Sequence, residues 1–480
     1  MDHFDVLVIG AGISGINAAY RLQTMCPSKT FAVLEGREAI GGTWDLFRYP
    51  GIRSDSDMYT LSFPFRPWKG TQTIADGESI RTYIEDTARE LGIDRKIRFG
   101  HQVKRASWSS DAARWSVDVE TSAGVSVRFT CRFLFMCTGY YDYAKGYTPD
   151  LPGMSSYRGR VVHPQLWGRD VDYDGKRVVV IGSGATAVGL VPALAKKAAH
   201  VTMLQRSPTY MISLPGVLPV AEWLTHVPGV GDALARGLGI GLSSAIWLFA
   251  RGSPERAKRV LLDGVKKRLG AGYDVATHFT PRYAPWDQRL CIVRDGDLFE
   301  VIKSGKAEMV TDHIERFTEQ GLLLRSGKEL VADVVVTATG LEMVLLAHVP
   351  LEVDGHAVDL PRSSMYKAAM LSEVPNFALS LGYINASWTL RSDLVCQFVC
   401  RVIRQMDKKG YRSCTPRRGP DDGITDEVVM PLASGYVERV RATLPKQGTR
   451  APWKNDHNYA HDLFTMRYGR IDDGVLQFAR

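Results

Sequence analysis

Two stretches of this chain repeat one local pattern, and that repetition limits the fold more than any other feature. Asp5–Ile9, DVLVI, is a short apolar run of the kind found in a buried parallel strand; GAGISG follows it, and then a helical pattern through Leu22. Further on, Arg177–Ile181, RVVVI, leads in the same way into GSGATA. In the first loop Gly10 permits the tight turn, Gly12 lets backbone approach a pyrophosphate, and Gly15 lets the helix close on the strand. Gly182, Gly184 and Ala187 take those places in the second, where alanine is accepted last. Ser14 belongs to the first loop, and Ser183, Ala185, Thr186 and Val188 to the second and its helix start. Free N–H groups at a helix N-terminus, with their partial positive charge, suit a phosphate. The fold expected is α/β: two doubly wound dinucleotide-binding (Rossmann-like) domains with a helical insertion.

The strand after each loop separates the two sites. The first, FAVLE, closes on Glu35, where a carboxylate can accept both hydroxyls of an adenosine ribose and would repel a 2′-phosphate. That site should hold FAD or NAD. In the second, HVTMLQRS, the corresponding positions are Gln205, Arg206 and Ser207. A guanidinium and a hydroxyl attract a 2′-phosphate, so NADP is favoured there.

Length and composition set the frame. At 480 residues the chain has room for two or three domains, and 45% hydrophobic with 23% charged residues is the balance of a soluble globular protein. Its net charge of +8 suits anionic cofactors or an acidic surface. No nucleic-acid motif accompanies that charge. The seven cysteines form no Cys-x-x-Cys pair and no Cys/His metal spacing, which points to reduced thiols, a cytoplasmic setting and no metal. MDHFDVLVIG has no basic region ahead of its apolar run and reads as a strand rather than a secretion signal. The expected domains are 1–150, a first part of the FAD-binding domain; 151–210, a first part of the NADP-binding domain; 211–280, the helical insertion; 281–372, the second NADP part; and 373–480, a return to the FAD side. In the insertion Trp223–Leu238 and Ser243–Leu269 read as helices. The longest apolar run, Gly237–Ala250, looks too short to span a bilayer, which takes about 20 residues. Basic residues cluster late in the insertion, at Arg256, Lys258, Arg259, Lys266, Lys267 and Arg268. A solvated face and peripheral membrane association both stay open as readings of that cluster.

Three further stretches carry the chemistry. Gly41–Tyr59, GGTWDLFRYPGIRSDSDMY, places a second close-approach loop at Gly41 and Gly42 directly after the ribose-binding strand. Tyr157-x-Gly159-x-x-x-His163-x-x-x-Trp167 lies between the two dinucleotide loops and belongs to neither, and PRYAPWDQRLCIV, Pro281–Val293, follows the insertion. Together these resemble the class B flavoprotein monooxygenases, and within them the ethionamide-activating type of Baeyer–Villiger monooxygenase. The likeness runs over nearly the whole chain and is weakest in the insertion. The family fingerprint is Phe-x-Gly-x-x-x-His-x-x-x-Trp followed by Pro or Asp; here Tyr157 replaces the Phe and Gly168 the last position, while Trp167 favours the Baeyer–Villiger branch over relatives that end in Tyr.

The resemblance implies roles. Thr43, Trp44, Asp45 and Leu46 would line the flavin, and Arg53, Ser54 and Asp55 would lie where flavin and nicotinamide meet. Val103, in the strand RFGHQV, would contact the adenine through backbone, although a plain core valine reads equally well. Arg289 would be the catalytic cation beside a C4a-peroxyflavin, with Asp55 orienting it; His163 would position the linker. The implied reaction uses FAD, NADPH and O2 to insert one oxygen atom into a ketone, giving an ester or lactone, with oxidation of a thioether or thioamide sulfur as a second outcome. Two other functions stay open: a flavin-containing N/S-monooxygenase, and a flavin-dependent NADPH reductase passing electrons to a disulfide or a partner protein.

Overall fold

The computed structural model describes residues 2–288, 290–430 and 434–480. Among the described residues nine strands form one sheet and five form another. At the centre of the larger sheet lies Asp2–Ile9, paired in parallel with Phe31–Leu34 on one side and with Ser126–Met136 on the other. It is buried from Val6 onward, which is why its sequence is a continuous apolar run rather than an alternating one. Beyond Ser126–Met136 the sheet turns antiparallel through Arg114–Thr121 and His101–Ser109. The RFGHQV stretch is not one strand: Gly100 has φ +61° and separates Ile97–Arg98 from His101–Ser109, which contains Val103. Phe377–Leu379 joins in parallel beside Ser126–Met136, and the helix Trp388–Lys409 packs its buried face against the first helix, Ile13–Met25. The chain re-enters this sheet ahead of residue 373, because Leu351–Val353 already pairs in parallel with His101–Ser109.

The smaller sheet is parallel throughout, in the order Ala307–Thr311, His200–Gln205, Arg177–Ile181, Val334–Thr337, Arg160–Val162. The last strand comes from the middle of the Tyr157–Trp167 stretch. That stretch is therefore an edge of the second sheet, held by its ladder with Val334–Val336, and not a connection outside both units.

The insertion differs from the expectation in its breaks. Met211–Leu214 is a strand paired with Cys291–Arg294, and the helices are Pro219–Thr225, Gly231–Gly252, Pro254–Leu269 and Val275–Phe279. Gly237, Gly239 and Gly241 sit inside the long helix although glycine disfavours helix interiors. Contact overrides propensity here: a methyl at Gly239 would come within 2.8 Å of the Asp57 carboxylate and the Thr60 side chain. The break falls at Ser253, before Pro254 at the first turn of the next helix. The apolar run thus lies in a 22-residue helix that is long and apolar enough to cross a membrane, correcting the shorter estimate from the run alone.

Candidate active site: two dinucleotide cradles on one cleft

The first cradle is closed by backbone contacts. Gly10 has φ +102°, and a methyl there would lie 2.7 Å from the Cys137 carbonyl; one at Gly15 would lie 1.8 Å from the Gly10 carbonyl. Gly12 caps the first helix without a side-chain acceptor and faces Gly42, whose Cα is 3.5 Å from where a Gly12 methyl would sit. Glu35 is 7% exposed and accepts from the Ala11 N–H at 2.7 Å and the Arg37 N–H at 2.9 Å. Burial pushes its carboxyl pKa up, against the pull of those two bonds.

A cleft of about 640 Å³ runs from this cradle to the start of the second helix. Its walls include Gly10, Gly12, Ser14, Glu35, Gly42, Thr43, Trp44, Arg53, Ser54, Asp55, Val103, His163, Ala185 and Thr186. Several predicted side chains are spoken for. Ser14 Oγ accepts from Trp388 Nε1 at 2.8 Å and from Ser392. Ser54 bonds the backbone of Ser56. The Arg53 guanidinium pairs with Asp297 across to the second unit. Asp45 is bracketed by Arg37 and Arg48, and neither it nor Leu46 is part of the cleft wall, because the Thr43–Leu46 turn presents only its first two residues inward. Arg289 lies outside the described residues.

The second cradle repeats the turn and leaves it open. Gly182 has φ +136° and sits against the Ala338 carbonyl, Ala187 and Val188 are buried, and a methyl on Gly184 would meet nothing within 4 Å. Ser183 Oγ bonds the Ser207 carbonyl and Thr209; Arg206 and Ser207 are exposed, and Arg206 has no ion-pair partner among the described residues. These groups stand at the outer end of the cradle, away from the cleft wall. The two units meet where Gly51 lies against Gly189: a methyl on Gly51 would fall 2.2 Å from the Gly189 carbonyl.

The Tyr157–Trp167 stretch is fixed at both ends. Tyr157 is buried with its hydroxyl on the Ala332 carbonyl at 3.0 Å, a methyl on Gly159 would strike Tyr157 and the Asp333 carbonyl, and Trp167 stacks edge-on with Tyr173. Between them His163 Nδ1 accepts from the Gln165 N–H at 3.1 Å, which places the proton on Nε2, donating to the Gly340 carbonyl at 3.0 Å. Burial lowers the His163 pKa, so the ring is neutral near pH 7.

Sequence reasoning assigned no role to the wall residues Gln165 and His348, and marked Thr138 only as a strand exit beside a dinucleotide. Gln165 donates to the Asp142 carbonyl at 2.7 Å, and its buried Oε1 has no partner; the buried Thr138 hydroxyl is likewise unmatched. Both line the cleft, so they are polar groups able to meet a bound molecule. Gln165 was within reach of a sequence signal, being inside the fingerprint. His348, 3.3 Å from Asp142, had none, because its neighbour is 206 residues away.

Two Rossmann cradles opening on a common cleft define a dinucleotide-dependent oxidoreductase. A flavin-binding monooxygenase-like family model matches residues 54–216, and an NAD(P)-binding Rossmann-like domain model matches residues 8–71. The chain is 49% identical to FAD-containing monooxygenase EthA of Mycobacterium tuberculosis, covering 100% of this chain and 98% of that one. It is 45% identical to the probable FAD-binding monooxygenase AlmA of Acinetobacter baylyi, over 99% and 96%. The solved structure of an oxidized steroid monooxygenase bound to NADP superposes with a TM-score of 0.78 at 20% identity, covering 100% of each chain. The chain belongs to the EthA-like family of FAD-containing monooxygenases.

Proposed function

We propose that this monooxygenase holds FAD in the first cradle and NADPH in the second, and inserts one atom of O2 into ketones to give esters or lactones, with thioether and thioamide sulfur as further acceptors. The observation that carries this reading is the fingerprint stretch, Tyr157 to Trp167, seated at the wall of the cleft that both cradles share. A reduced flavin bound there supplies the activation of oxygen.

The chain's own residues do the rest. The Gly10–Gly12 backbone and the first helix N-terminus take the pyrophosphate, and Glu35 takes the adenosine ribose. Thr43, Trp44 and Val103 wall the flavin, and Arg206 and Ser207 take the NADP 2′-phosphate. Neutral His163, with both ring nitrogens engaged, acts as a positioning residue that ties the second-sheet edge to Gly340 rather than as a proton carrier. Asp55 lies in the cleft wall, and the family resemblance gives it the task of orienting the cation assigned to Arg289; a fixed cation stabilises developing negative charge strongly in a site shut off from water.

The reductase alternative needs a dithiol or a docking partner. Among the described residues Cys137 alone of the cysteines lines the cleft, buried and with its thiol pKa pushed up by burial.

The test is NADPH oxidation by the purified flavoprotein with a methyl or phenyl ketone under labelled O2. An ester carrying one labelled atom supports the proposal, and Arg289→Ala should then lose the ester while keeping flavin reduction. NADPH consumption that yields neither ester nor sulfoxide, with electrons delivered to a disulfide, sinks it.

A further inference from the structure

The long insertion helix is the least covered part of the molecule. Nine of the fifteen exposed large apolar side chains among the described residues lie between Val217 and Val260, including Trp223 at 67% and Leu248 at 62% exposure. In the most apolar 18-residue window of Gly231–Gly252 only 17% is buried, which is not how a core helix is placed. Past Asp232, which pairs with Lys69 in the first turn, its solvent side carries Leu234, Leu242, Leu248 and Phe249 and no charge until Arg251. Exposure of this extent marks an interaction surface.

The next helix, Pro254–Leu269, follows across Ser253 alone and packs against the first. It holds six basic residues, Arg256, Lys258, Arg259, Lys266, Lys267 and Arg268, against two acidic ones, Glu255 and Asp263. None of the six has an ion-pair partner among the described residues, in a chain of net charge +8. A second copy packed on this face would set two such cationic helices side by side. An anionic surface would match them instead.

The inner side of the apolar helix is fastened to the flavin-side unit. Arg236 donates to the carbonyls of Tyr59 at 3.0 Å and Ser62 at 2.8 Å, and Gly239 abuts Asp57 and Thr60. Crossing a bilayer would strip the guanidinium of those partners, which is costly. The helix it rests on, Met58–Leu61, contributes Leu61 to the cleft wall.

We propose that the outer face of Gly231–Gly252, with the cationic face of Pro254–Leu269, docks this enzyme on an anionic lipid bilayer, lying in the interface without spanning it. An amphipathic element with Trp and Leu on one side and Lys/Arg beside it is the chemistry such surfaces bind. Resting on the monooxygenase reading above, docking also puts the cleft one helix layer from the lipid, where long-chain apolar substrates dissolve.

The experiment is sedimentation of the yellow holoenzyme with vesicles of phosphatidylcholine, with and without phosphatidylglycerol. Wild type should co-sediment with the anionic vesicles and be released by high salt. Lys266→Glu/Lys267→Glu should weaken that partition roughly tenfold or more. Leu248→Asp/Phe249→Asp, both at exposed positions, should abolish it with flavin content and oxidation of a water-soluble thioether unchanged. Failure of wild type to bind, binding unaffected by either variant, or concentration-dependent dimers lost in the Leu248/Phe249 variant would overturn the proposal, the last outcome giving the face to a second copy. Salt-sensitive binding with no oxygenated product from any substrate supports the docking and overturns the reaction assigned above.

Discussion

The two cradles share a turn and differ in what stands over it. Over the first, Gly42 crosses Gly12 at van der Waals distance and a buried carboxylate, Glu35, clasps the loop through the Ala11 N–H. Over the second nothing lies within 4 Å of the equivalent position on Gly184, and the charged group, Arg206, is exposed. One motif has thus been built into a closed seat and an open one. A cofactor that stays through many turnovers suits the first, and one that must be exchanged each cycle suits the second.

The comparison breaks most sharply at its glycines. Gly15→Ala drives a methyl into the Gly10 carbonyl, so the first cradle should fail with a loss of about 3 kcal/mol or more, read as little flavin retained after purification and a lowered midpoint of unfolding. A normal flavin content in that variant would mean that the seat is less tightly closed than its contacts indicate.

A pH effect belongs to the closed side. His457 is buried beside Tyr383, which lines the cleft, and burial followed by the nearby Arg391 charge lowers its pKa to about 3. The unfolded chain binds that proton near pH 6.5, so below it the unfolded state holds more protons and stability falls progressively from pH 6.5 toward 3. From those two values the loss is about 4–5 kcal/mol once pH reaches 3. His457→Asn cannot take the proton and tolerates the local φ of +49°, so its unfolding free energy should lose less on going from pH 7 to 4. Equal acid sensitivity in both proteins would remove His457 as the cause.

On the open side, Arg206→Ala should cost about 2 kcal/mol of NADPH binding, roughly thirtyfold in KM, with KM for NADH and flavin content unmoved. The smallest structural effect is expected from Gly184→Ala, whose methyl has free space: about 0.5–1 kcal/mol in stability, full flavin, and a raised KM for NADPH. Loss of flavin in that variant would erase the distinction between the seats.

Much of this was legible in the chain. Both strand–loop–helix units and the acidic and basic ends of the two second strands follow from residues close together in sequence, whereas the meeting of Cys26 with Cys400 does not. The insertion was less legible: the expected helices stopped at Leu238 and restarted at Ser243, whereas one helix runs through Gly231–Gly252, and the approach of Asp57 and Thr60 accounts for glycine at 239. The ion pairs around the cleft were not legible in the chain either: Asp45 is held by Arg37 and Arg48 away from the wall, whereas Arg53 lies in the wall while paired with Asp297.

By itself, the sequence determined that there are two strand–loop–helix units, one second strand ending in a carboxylate and the other followed by a guanidinium, since turn geometry and side-chain charge act over a few residues. Only the tertiary structure decided which seat is closed, that the fingerprint stretch forms a sheet edge, and that His163 is a fixed neutral donor. Its partner, Gly340, lies 177 residues away, and a side chain's direction and protonation are set by the groups that folding brings to it.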